Sequence, residues 1–69
     1  MEINHMDEIR ALVSSGDIDL QDEREKFKRI IGRYTSLTND QLIEAIALTD
    51  DTDDDLFVKN VIIIEERNA

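Results

Sequence analysis

Leu56-Phe57-Val58-Lys59-Asn60-Val61-Ile62-Ile63-Ile64 can be read in two ways, and the choice decides the fold. Phe57, Val61 and Ile64 share one face of a helix, with Val58 and Ile62 beside it. The β-branched run Val61 to Ile64 would also suit a buried strand, because branching at Cβ restricts rotamers in a helix and packs well on a pleated surface. A lone strand, however, finds no pairing partner in a chain whose other segments read as helical. Helix is therefore the reading kept, with a strand as the alternative. As a helix, the segment sends Leu56 and Ile63 away from its main apolar stripe. A helix that is apolar nearly all round must be covered on more than one side, so these two residues hint at a second contact surface.

Upstream, the clearest local signal is Thr38-Asn39-Asp40-Gln41. It forms a capping box, in which the threonine hydroxyl accepts from the Gln41 amide and the Gln41 side chain returns to the Thr38 amide. Leu37 and Leu42 occupy the staple positions, and the apolar residues Leu42, Ile43, Ala45, Ile46 and Leu48 continue the helix. Before it, Leu20, Phe27, Ile30, Ile31 and Tyr34 fall on one stripe roughly 100° wide, capped by Asp17 or Asp19. Asp22–Lys26 and Glu25–Arg29 are i,i+4 pairs in the favourable order. Gly32 in the last turn of that helix costs about 1 kcal/mol relative to alanine, which signals close packing or early fraying. Met6, Ile9, Leu12 and Val13 make a short first helix that stops at Gly16, a residue suited to the left-handed position after a helix end.

The expected fold is thus all-α, a small three- to four-helix bundle over approximately 6–15, 19–34, 38–49 and 53–66. Residues 1–5 read as a tag or disordered tail, since His5-Met6 has the form of a cloning-site remnant, and 6–69 as a single helical domain.

Composition bounds the function. The chain has 69 residues, 41% of them hydrophobic, with a formal net charge of −9. A domain of this size buries only about 60% of its unfolded surface. Without cysteine it has neither disulfides nor thiolate metal ligands to reinforce it. An acidic balance disfavours binding to phosphate backbones and anionic membranes, both of which need cations. No apolar run approaches the roughly 18 residues of a membrane span, and no signal peptide opens the chain. The expected location is cytoplasmic.

The charge is segregated. Asp50, Asp51, Asp53, Asp54 and Asp55 crowd into six residues, while Arg24, Lys26, Lys28, Arg29 and Arg33 supply five of the eight cations. Part of the acidic run reads as a helix start: Thr52 caps, and Asp53 to Asp55 lie in a first turn favoured by the macrodipole. The surplus charge reads as a surface. A calcium loop is excluded because counting from Asp51 puts Leu56 at the glycine position and Ile62 at the glutamate position. No metal and no cofactor are expected. An enzyme is disfavoured too, since His5 is the lone histidine, no cysteine nucleophile exists, and a pocket of about 300 Å³ or more is hard to build at this size. The basic segment reads as a solvated face paired with neighbouring acids, although such a face also suits an acidic partner or a second copy.

Leu42-Ile43-Glu44-Ala45-Ile46-Ala47-Leu48-Thr49 resembles the core of a ubiquitin-interacting motif, with a leucine, an alanine three residues on and a small hydroxyl residue four beyond. In such motifs the alanine lets the helix lie close on an apolar patch of ubiquitin. The likeness spans eight residues, lacks the preceding acidic run except for Asp40, and has Thr49 in place of serine. The same pattern describes an amphipathic core helix, and that reading is preferred.

The functional expectation is a non-enzymatic interaction module that regulates, inhibits or adapts one protein partner. The contact is expected at Asp50, Asp51, Asp53, Asp54, Asp55, Leu56 and Ile63, with carboxylates steering a basic partner and apolar residues holding it. The alternatives are a DNA mimic that blocks a nucleic-acid-binding protein and a structural homo-oligomer.

Overall fold

The computed structural model describes residues 5–49 and 53–68. Four helices follow in order: α1 (His5–Ser15), α2 (Leu20–Ile31), α3 (Asn39–Leu48) and α4 (Asp54–Arg67). The ambiguous Leu56–Ile64 segment is helical, and no strand occurs among the described residues. Burial explains the outcome. Phe57, Val58, Val61 and Ile64 all turn into the core, and the helix meets every interior backbone group itself.

The pairing of side chains sets the helix directions. Lys26 meets Asp54 and Arg33 meets Glu65, so α2 and α4 run the same way. Asn60 donates to the Thr49 hydroxyl and Arg67 pairs with Glu44, so α3 runs against α4. The extended segment between α2 and α3 makes this order possible. It is held by Arg24, whose guanidinium donates to the Leu37 carbonyl and to the Asn39 side chain.

The core joins α2, α3, α4 and that connecting segment through Phe27, Leu37, Leu42, Ala45, Phe57, Val58, Val61 and Ile64. The capping box at Thr38 forms in both directions, and both staple residues, Leu37 and Leu42, are buried. α1 packs on α3 instead of entering this core. Its one buried side chain is Ile9.

Helix α2 ends earlier than its apolar pattern. Gly32 takes a left-handed φ of 92° and its N–H bonds back to the Lys28 carbonyl. The glycine is therefore a C-cap, and Arg33 and Tyr34 lie beyond the helix. Consequently the stripe expected to bury Ile30, Ile31 and Tyr34 leaves them exposed, while Phe27 alone is buried on α2. Two further expectations differ. Lys26 binds Glu23 and Asp54, not Asp22. Glu25 accepts from Gln21 and from the Tyr34 hydroxyl, so no pair forms with Arg29.

Candidate interaction surface

The acidic segment divides by role. Asp50, Asp51 and Thr52 lie outside the described residues. The cap of α4 is Asp53, whose Oδ1 accepts from the N–H groups of Asp55 at 3.0 Å and Leu56 at 3.3 Å. Asp54 reaches across to Lys26 Nζ at 3.3 Å. Asp55 is exposed. Two of the three described carboxylates therefore serve the fold, one by satisfying orphan backbone donors and one by tying α4 to α2.

Lys26 is the centre of that tie. Its ammonium lies 3.0 Å from Glu23 and 4.8 Å from the centroid of the Phe57 ring. Burial works against its charge, but Glu23 and Asp54 outweigh this and hold it above its ordinary value of 10.5. The neighbouring cleft, of about 190 Å³, is lined by Glu23, Lys26, Thr49, Asp53, Asp54 and Phe57. That volume is below the range of ordinary small-molecule sites, and the protein's own Lys26 already pairs with two of its acids, Glu23 and Asp54. Among the described residues no group of three or more potential metal ligands converges.

The other cations are also largely engaged. Arg33 binds Glu65 through two bonds of 2.8 and 3.0 Å, and its guanidinium lies 5.3 Å from the Phe27 ring centroid. Glu65 accepts in addition from the Thr35 hydroxyl at 2.9 Å and the Ser36 N–H at 3.4 Å. The Arg33 bonds, with smaller contributions from Thr35 and Ser36, hold the Glu65 carboxyl below its ordinary value of 4.5 against the opposing effect of burial. Lys28 sits over the Tyr34 ring at 4.6 Å. Arg29 is exposed with no ion pair among the described residues.

The apolar candidates separate cleanly. Ile63 is 57% exposed, and Leu56 is half-buried. Seven residues apart, they lie on one flank of α4. Asn60 and Arg67, which reach α3 from that flank, bracket Ile63 along the helix. Leu48, at the C-terminal end of α3, is 54% exposed. In the sequence Leu48 is one of the apolar residues that continue α3, with Leu42, Ile43, Ala45 and Ile46. The crossing of α4 covers Ala45 and leaves Leu48 outside.

One further surface comes from the tertiary structure. Ile30, Ile31 and Tyr34 are 44%, 39% and 47% exposed at the C-terminal end of α2. Lys28 and Arg29 flank them. By contrast, the segment that resembles a ubiquitin-interacting motif faces inward. Ala45 and Leu42 have no exposed surface, so the residue that would meet ubiquitin is occupied by the core. No known protein family, curated protein or solved structure matches the chain.

Proposed function

We propose that the chain is a non-enzymatic protein-interaction module, a small regulator, inhibitor or adaptor of the cytoplasm, and that it docks through the outer flank of α4. The observation that carries this reading is Ile63, at 57% the most exposed large apolar residue among the described residues. It lies in line with Leu56 on the same flank of α4. An isoleucine at that exposure is unfavourable in water, and its burial against a partner removes apolar surface at roughly 25 cal/mol per Å². The exposed carboxylate of Asp55 at the start of α4, with Asp50 and Asp51 before it in the sequence, steers a partner that carries positive charge.

Protein is favoured over mimicry of nucleic acid because the acids are already committed locally. Asp53 caps, Asp54 pairs with Lys26, and Glu44 pairs with Arg67. Among the described residues they do not form a free strip at phosphate spacing. The test is to immobilise the wild-type chain and Ile63→Gln, expose both to lysate of the source cell, and compare what is retained. A protein held by the wild type and lost by the variant supports the reading. Equal retention by both, with unchanged helicity, overturns it.

A further inference from the structure

Buried apolar side chains fall into two groups among the described residues. The core cluster, which includes Phe27, Leu42, Val61 and Ile64, joins α2, α3 and α4. Ile9 and Ile43 are also buried, at 7% and 5% exposure, but stand apart from that cluster. Ile43 follows Leu42 by one residue, so it points about 100° away from the core side of α3. Arg10 approaches Asp40, one turn before Ile43, at 3.8 Å. That approach lays α1 along the Ile43 side of α3, which assigns the burial of Ile43 to α1.

The attachment of α1 is slight. Ile9 is its one buried side chain, with Met6 and Val13 half-buried. The Arg10–Asp40 pair is open to solvent on both sides, at 44% and 79% exposure, and an ion pair in that setting contributes little. Its 11 residues do not sustain a helix alone, since isolated helices shorter than about 12–15 residues are marginal in water. Docking and helix formation are therefore coupled, and α1 leaves α3 by unfolding as a unit. The link to α2 permits this. Gly16 ends α1 at a φ of 87° with nothing within 4 Å of the place a Cβ would take. An open cleft of about 360 Å³, lined by Val13, Gly16, Ile18, Asp19 and Leu20, lies at this turn. The chain can thus swing at Gly16 without disturbing packed neighbours.

We propose that α1 is a displaceable cover on α3: it opens as a single unit while α2, α3 and α4 stay folded, and the opening uncovers Ile43. Access to that apolar side of α3 is then set by the opening equilibrium of α1 and not by global unfolding. The proposal is independent of the docking face on α4, which belongs to another helix.

Native-state hydrogen exchange of the full chain, read residue by residue by NMR from zero to roughly 2 M urea, tests this. The amides of Ile9 to Val13 should share one opening equilibrium and exchange at least about tenfold faster than those of Val61 and Ile64. Their rates should also depend less on urea, because opening α1 exposes less surface than unfolding the chain. Ile64→Val should speed exchange of the core amides by about twofold to tenfold and leave the α1 rates unchanged, since the core is intact when α1 opens. Ile9→Asp should undock α1 while the Val61 and Ile64 amides stay protected by at least about a hundredfold. Equal rates and equal urea dependence in α1 and α4, a parallel rise of the α1 rates in Ile64→Val, or loss of core protection in Ile9→Asp would overturn the proposal. So would an α1 that is already unprotected in the wild type, because nothing would then be covering Ile43.

Discussion

Replacing Glu65 by glutamine removes one charge from the junction of α2, the connecting segment and α4 while keeping the side-chain shape. In the wild type, Glu65 Oε2 accepts from Arg33, Thr35 and Ser36, and Oε1 accepts from the second Arg33 nitrogen. The amide of glutamine, placed where Oε1 was, turns a donor towards a donor. Of the remaining bonds to Oε2, those from Thr35 and Ser36 change from charge-assisted to neutral, which roughly halves them, while the one from Arg33 keeps the charge of its donor. The side chain of Glu65 is 12% exposed and that of Arg33 54%. Solvent screening therefore removes much of the Arg33 contribution, and the magnitude rests on Thr35 and Ser36.

Thr35 is 8% exposed, so weakening its hydroxyl bond is felt in a dry setting. A net loss of about 1–2 kcal/mol follows, or a fall in Tm of roughly 4–16 °C for a domain this small. Urea unfolding followed by far-UV circular dichroism measures it. Glu65 also gives the loss a pH signature. Its folded-state pKa lies below the unfolded value of 4.5, so its contribution is complete above 4.5 and disappears as pH falls through the folded value. Glutamine does not titrate. The difference between wild type and variant should be full at about pH 7 and close below 4.5. A difference of the same size at about pH 7 and about pH 3 would refute the linkage, and no difference at neutral pH would refute the clamp itself. Glu66→Gln, one residue on and exposed, should change stability by less than about 0.5 kcal/mol.

Two further substitutions separate local from long-range effects. Gly32→Ala should destabilise by about 1 kcal/mol in thermal melts, because the φ of 92° strains any Cβ even though nothing lies within 4 Å of it; a stabilised variant would show that the residue belongs to the helix interior. Asp53→Ala should cost about 1 kcal/mol through loss of the α4 cap, whereas Asp55→Asn should leave stability within about 0.5 kcal/mol of wild type. Equal losses in denaturant titrations would mean that the acidic segment acts as a single structural unit.

Local signals survived into the structure where the physics is itself local. The capping box at Thr38 and its Leu37–Leu42 staple needed only a few consecutive residues, and both formed. The left-handed Gly16 was also legible, with a φ of 87°. Asp53, not Thr52, proved to be the α4 cap, a shift of one residue among adjacent good capping side chains. Of the candidate contact residues, Ile63 was legible because a seven-residue spacing from Leu56 departs from the Phe57–Val61–Ile64 stripe. Leu48 was not, since its exposure depends on where α4 crosses α3. Nor was the α2 patch, because Gly32 ends that helix before its apolar stripe ends, and α1 covers α3 instead.

By itself, then, the sequence determined that the chain is all-α, where its helices start, and that α4 carries apolar residues on two sides. Each of these depends on backbone geometry and periodicity over a turn or two. Only the tertiary structure decided which charges act as ties and which remain at the surface. Lys26 chose Glu23 and Asp54, and Glu65 gathered Arg33, Thr35 and Ser36 from about thirty residues away. Such pairings are set by the parallel run of α2 and α4, and the energy that selects them is the burial of Phe27, Phe57, Val61 and Ile64 between the helices. The side chains left outside that core, Ile31, Tyr34, Leu48 and Ile63, define the surface available for binding.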